Sequence, residues 1–263
     1  MPMTAQGGNI SFNRGSLYFD RFTTAGVKTG ERFLGDVKDF GITPSAETKD
    51  VYDYTKAATP LLARIPIRMT GEVNMTLLEY TAANLALMAL GDDAPGFTQS
   101  TATVVDEALN GAAVVLPALD RWYPLANRRI SAVTVKGGVA GATARTLHTD
   151  YEIDAEGGRI YITSGGACVA GTDLVKVSYT AAAITTPIEQ VLGGIQAKIE
   201  GFLRFISDPT AGPSWEVMVW KCSLTPDGSL SLITGDDAGE FKLKGGMLSD
   251  GVHTDLFREI KRP

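Results

Sequence analysis

The chain has 263 residues, 21% charged and 44% hydrophobic, with a formal net charge of −6. That is enough for one large domain or two modest ones, each with its own core. No Lys/Arg run or basic stripe is present, which argues against a protein that grips nucleic acid by its phosphates and leaves room only for contact without adhesion. Cys168 and Cys222 lie too far apart for a disulfide framework or a zinc pattern, and they read as small buried residues suited to a reducing cytoplasm. The opening "MPMTAQGGNISFNRG" has no secretory pattern, and no run approaches the ~20 apolar residues of a membrane span.

In chain order, the first fourteen residues are small and polar and read as an extended arm. "GSLYFDRF" (15–22) and "RFLGDVKDFGITP" (32–44) read as strands, joined to the next by a long polar loop, "SAETKDVYDYTKAATP" (45–60). A connection of that length inside a compact domain points to a functional segment. In "RIPIRMTGEVNM" (64–75), Ile65, Ile67, Met69, Val73 and Met75 alternate with polar residues, which predicts a strand with one buried and one wet face. The period then changes. "TLLEYTAANLALMALG" (76–91) has Thr76 and Glu79 at capping-box spacing and Leu78, Leu85 and Met88 on one stripe, with Gly91 as a stop; a helix is expected there.

"GDDAPGF" (91–97) reads as a boundary. Beyond it, short Val-, Thr- and Ala-rich segments separated by Gly pairs, among them "ISAVTVKGG", "DYEIDAEGGRIYI" and "DLVKVSYTAA", predict a small all-β sandwich that "ITTP" (184–187) closes. Strand patterns resume in "IQAKIEGFLRFIS", where Ile199, Leu203 and Phe205 oppose Lys198, Glu200 and Arg204. They continue in "SWEVMVWKCSLTP", apolar on both faces at its middle, and in "EFKLK". The expected architecture is a mainly β domain of residues 1–97 and 187–263 with one flanking helix, interrupted by a β-sandwich of residues 98–186.

Chemistry-bearing patterns are thin. Asp150, Glu152, Asp154 and Glu156 fall on alternate residues, but a calcium loop counted from Asp150 puts Ala155 where it needs Gly and Tyr161 where it needs Glu. A hairpin with its acids on the solvent side accounts for them better, and a metal-dependent enzyme built on Asp150, Glu152 and Asp154 is the distant alternative. His148 and His253 stand alone, and no nucleophile elbow, phosphate loop or dinucleotide fingerprint occurs. Trp215 and Trp220 lie in an apolar strand and read as packing residues. No catalytic residue, metal site or cofactor is expected.

Three features together resemble the tail tube (major tail) proteins of long-tailed, siphovirus-type bacteriophages: the strand pair joined by the long loop, the alternating strand running into "TLLEYTAANLALMALG", and the late strands ending in "GEFKLKGGMLSDG". The middle unit resembles the Ig-like accessory sandwich such proteins carry. The resemblance implies a tail-tube fold whose subunits form hexameric rings that stack into a conduit for DNA. It implies as partners further copies of the chain and the terminator, tape-measure and tip proteins, with DNA passing unbound; there is no membrane partner. The implied location is the virion tail, after assembly in the host cytoplasm. On this reading Lys49, Asp50, Tyr52, Asp53, Tyr54 and Lys56 form a ring-stacking loop. Leu78, Leu85 and Met88 pack the helix, and Glu72 and Glu200 face the lumen. The mixed wet rows, with Arg64, Arg68, Lys198 and Arg204 beside those acids, depart from an acidic lumen. The rival reading is a phage or cell-surface module that binds carbohydrate through Trp122 and Tyr123.

Overall fold

The computed structural model describes residues 14–109, 111, 114–210, 212–233, 235 and 238–263, leaving aside the side chain of Asp93. The expected N-terminal arm, apart from Arg14, lies outside the described residues. The chain runs through β1 (Gly15–Arg21), β2 (Arg32–Phe33), β3 (Val37–Tyr52), β4 (Leu61–Leu77) and helix α1 (Ala82–Met88). Strand β5 (Asp92–Gln99) leads into β6 (Ala102–Ala108), β7 (Arg121–Pro124), β8 (Ile130–Gly137), β9 (Thr143–Ala144), β10 (Tyr151–Asp154), β11 (Arg159–Ile162) and β12 (Lys176–Ala181). Strand β13 (Ile184–Leu192) returns to β14 (Ile199–Ser207), β15 (Trp215–Pro226), β16 (Phe241–Met247) and β17 (Phe257–Lys261). The protein is mainly β, with antiparallel sheets and one short helix among the described residues.

Two compact units result. One comprises residues 1–94 and 191–263, the other 95–190, against expected limits at 98 and 186. The first holds an eight-stranded sheet in the order β2-β1-β14-β15-β16-β4-β3, with β17 added on β15. Leu17, Phe19, Val73, Met75, Leu203, Phe241 and Leu243 come from alternate positions of neighbouring strands and form its core. In the second unit a three-stranded sheet, β10-β11-β7, and a four-stranded sheet, β6-β12-β8-β9, share a core that includes Tyr123, Val135, Tyr151, Ile160, Ile162 and Val177. Arg145 and Asp173 form an ion pair of 2.6 Å there, both side chains buried.

Several expected boundaries moved. The segment 32–44 is two strands rather than one, because the chain turns at Gly35. That residue has φ +82°, and a Cβ there would collide with the Glu79 carboxylate. Glu79 accepts a hydrogen bond from the Asp36 amide (3.0 Å) instead of capping a helix at Thr76. Thr76 and Leu77 remain in β4, paired with Lys242 and Phe241, so sheet pairing overrode the local capping signal. The helix begins after Thr81, whose hydroxyl accepts from the Asn84 amide at 3.2 Å. Leu78 therefore precedes the helix and is half-buried; Leu85 is also half-buried, while Leu87 and Met88 enter the core. Asn84 is fully buried because its amide donates to the carbonyls of Leu34 and Glu79 and its oxygen accepts from Arg32.

The breaker clusters "GDDAPGF" and "ITTP" are not loops. They lie in β5 and β13, which pair as a two-stranded ribbon. Pro tolerates such edge positions, and Gly96 is required where a Cβ would sit 2.5 Å from that of Pro187. Strand β15 is covered less evenly than its composition suggests: Val219, Cys222 and Leu224 are buried, whereas Trp215 is exposed at the strand's start. Both cysteines are buried and free.

The position of the helix in the core is testable. Leu87→Ala is expected to destabilise the first unit by about 2–5 kcal/mol, and Leu85→Ala by under about 1 kcal/mol. Denaturant unfolding of the two variants measures the difference; equal losses would contradict this packing.

Candidate assembly surface

The segment expected as a loop is a β-ribbon. Strand β3 continues to Tyr52 and pairs with β4 throughout, from Val37–Leu77 to Tyr52–Leu61. Strand β16, on the other side of β4, pairs with it only from Glu72 to Leu77. Residues 45–52 and 61–70 thus run beyond the rest of the sheet as a two-stranded arm. This explains a failed expectation. Val73 and Met75 are buried as their alternation predicts, but Ile65, Ile67 and Met69, in the same pattern, are exposed. Among the described residues no further strand or helix covers that stretch.

The predicted loop residues all sit on this arm. Lys49 pairs with Ile65, Asp50 with Arg64 and Tyr52 with Leu61. Asp53, Tyr54 and Lys56 form the tip, closed by the Asp53 amide donating to the Pro60 carbonyl at 2.9 Å and the Thr59 amide to that of Lys56 at 3.0 Å. Arg64 meets both carboxylate oxygens of Asp50 at 2.7 and 3.0 Å, and Arg68 meets Glu47 at 2.8 Å. Hydrogen bonds from Arg64 hold the Asp50 carboxyl below its usual range, and those from Thr55 do the same for Asp53. These cross-strand pairs tie the ribbon's register. The ladder steps from Glu47–Arg68 to Thr48–Pro66 and from Val51–Ala63 to Tyr52–Leu61, leaving Ile67 and Leu62 in bulges that sharpen the twist.

Sequence reading overlooked the arm's apolar surface. Leu61, Leu62, Ile65, Ile67 and Met69 are all exposed, Leu62 at 68% and Met69 at 67%. The overlooked signal was the match between Glu47 and Asp50 on one side and Arg64 and Arg68 on the other, spaced as facing strands of a hairpin. Two-stranded ribbons are marginal alone, and an exposed patch of this kind marks an interaction surface. Among the described residues strand β3 is also the terminal strand of its sheet, with no strand on its outer edge.

A second surface is the face of the eight-stranded sheet opposite the core. Glu200 pairs with Ser223, Ser223 with Gly246, Gly246 with Glu72 and Glu72 with Thr43, so both predicted lumen residues stand in one cross-strand row. The cations around them are neutralised. Glu200 binds Lys198 (2.8 Å) and Lys221 (3.0 Å), and those hydrogen bonds lower its pKa. Arg204 bridges Glu31 and Glu216, Lys244 binds Asp227 at 2.9 Å, and Arg258 binds Asp255 at 3.0 Å.

In the second unit β10 and β11 form the expected hairpin, but its acids are not all solvent-facing. Asp150 is buried, accepting from the amides of Ala167 (2.6 Å) and Thr146 (2.7 Å). Asp154 accepts from the Gly157 amide and pairs with Arg159, while Glu152 lies 2.8 Å from His148. Among the described residues no group of three His, Cys, Asp or Glu is placed to hold a metal ion. Trp122 is exposed beside Tyr161, with Arg159 over its ring. Tyr123 is not part of that platform. It points inward, as alternation along a strand requires, and its hydroxyl donates to the Ala118 carbonyl at 2.6 Å. Trp220 is half-buried and stacked on His253 at 3.7 Å. Among the described residues no helix is long and apolar enough to cross a membrane.

Residues 10–255 match the family described as "Protein of unknown function UCP028589", and the chain belongs to that family. No curated protein matches it.

The buried Asp150 gives a pH signature. Backbone amides of Ala167 and Thr146 hold its carboxyl below the ordinary value of 3.8. Its stabilisation is therefore complete above the unfolded-chain pKa and is lost as pH falls through the lower folded value. Asp150→Asn is expected to loosen the second unit at about pH 7, with the deficit relative to the parent chain shrinking below about pH 3.8. Hydrogen exchange over residues 95–190 across that range tests this; a deficit independent of pH would mean that the charge contributes nothing.

Proposed function

We propose that this chain is the structural subunit of a phage tail tube, a major tail protein whose copies close into hexameric rings that stack into a conduit for DNA. The observation that carries the reading is the arm: a long ribbon with five large apolar residues exposed and, beside it, a sheet edge unpaired among the described residues. Strand edges of this kind are satisfied by pairing with another strand, and repetition around a ring leaves none open. The first unit is then the tail-tube domain and the second an Ig-like accessory sandwich. The ring works without catalyst or cofactor; it meets terminator, tape-measure and tip proteins at the tube ends, and it is assembled in the host cytoplasm into the virion tail.

The sheet face bearing Glu72 and Glu200 suits the channel wall. A polyanion slides past a surface whose cations are already held by carboxylates, whereas free Lys or Arg would exchange counterions with its phosphates and bind. The rival reading, a carbohydrate-binding module, is favoured by one observation, the exposed Trp122 ring beside Tyr161. Loss of glycan binding on Trp122→Ala by a chain that never assembles would select it.

Two outcomes are expected. Replacing Ile65, Ile67 and Met69 together with Ser leaves the circular-dichroism spectrum unchanged but abolishes rings and tubes in negative-stain images; normal tubes from this variant would remove the arm from assembly. Glu200→Gln frees Lys198 and Lys221, so assembled tubes retain DNA fragments more strongly, and added salt reverses the gain. Unchanged retention would take this face off the channel wall.

A further inference from the structure

We propose that the apolar arm of each copy seats in a cleft of a second copy, formed by the loop after β1, the start of β14 and one side of α1. The proposal rests on the tube reading and names the surface that receives the arm. The cleft has a volume of about 840 Å³, and Phe22, Ala25, Ala83, Leu87 and Ile199 supply its apolar wall. It is preformed. Asp20 is buried and accepts from the amides of Thr29 and Gly30 at 2.8 Å each, while the Thr29 hydroxyl donates to the Arg21 carbonyl at 2.8 Å, so the loop bounding the cleft is tied back to β1.

Two observations and one symmetry argument select a second copy as the occupant. First, arm and cleft lie at opposite ends of one sheet. Strands β14, β15 and β16 stand between β1 and β4, a separation of about 19 Å at the usual strand spacing. The arm also extends past its own sheet, so it serves a neighbour. Second, four of their charges are already matched within each element. Arg64 and Arg68 are held by Asp50 and Glu47 on the arm, and Arg21 and Lys198 by Asp92 and Glu200 at the cleft. Apolar contact between the two therefore strands none of these four charges unpaired away from water. Third, the pairing is heterologous. A patch that meets a different patch on the next copy closes into a ring or runs on as a helix, whereas arm-to-arm pairing would stop at two.

Single-cysteine variants test this, because native Cys168 and Cys222 are both buried and burial pushes both thiols up, away from reactivity. Full-length Ile65→Cys and Ala25→Cys chains are mixed under assembly conditions and treated with a short bismaleimide. The expected result is a cross-linked heterodimer from the mixture, none from either variant alone, and a ladder from the double variant. Ala83→Trp, which fills the cleft, is expected to abolish assembly while its hydrogen-exchange protection stays that of the parent chain. A cross-link from Ile65→Cys alone would mean arm-to-arm pairing and would overturn the proposal. Tubes without the heterodimer, or normal tubes from Ala83→Trp, would overturn the cleft assignment and leave the tube reading standing. A parent chain that stays monomeric would remove both.

Discussion

Strand β4 is flanked on both sides only from Glu72 to Leu77, and the character of the first unit turns on where that support stops. Within the supported stretch alternation does what it usually does, sending Val73, Met75 and Leu77 into the core. Beyond it the same alternation continues as far as the bulge at Ile67 with no layer of described residues beneath, and among the described residues β3 is its single neighbour. The backbone groups between the strands are bonded, so the ribbon persists, but the driving force from burial is missing. A segment with good hydrogen bonding and exposed Leu, Ile and Met side chains has its stabilising contact elsewhere. In the reading proposed for this chain, that contact is another copy.

Charge is handled consistently across the molecule. Most cations on the sheet face, on the arm and at the cleft lie against carboxylates, and a net charge of −6 remains. Exposed pairs of this kind contribute little to stability; their consequence here is the absence of a basic field. That agrees with a surface that meets a polyanion in transit without holding it. It also resolves why the wet rows look mixed in the sequence: Lys198, Glu200 and Arg204 belong to local clusters with Lys221, Glu31 and Glu216, which come from distant parts of the chain.

The second unit adds groups drawn inside to its pairs at the surface. Asp150 takes two backbone amides, and the Arg145–Asp173 pair is enclosed. Both examples concern residues whose identity suggests solvent or metal but whose neighbours supply partners. Breaking such an enclosed pair strands a charge away from water, which makes it costly to disturb.

Periodicity in the sequence was sufficient for the mainly β class, for the division into an outer unit and an inserted one, and for most strands, because side chains along a strand alternate whatever lies beyond it. The polar run 45–60, read as a loop, turns only at 53–60, because 45–52 pair with β4. Other features depended on nonlocal neighbours. Thr76 stays in a strand because Lys242 pairs with it, although its own surroundings favour a helix start; Thr81 takes the capping role instead. Met69 and Val73 share one face and have opposite fates because β16 reaches one and not the other. Alternation encodes which side chains share a face, but burial requires a second layer, and only the tertiary fold decides where that layer ends.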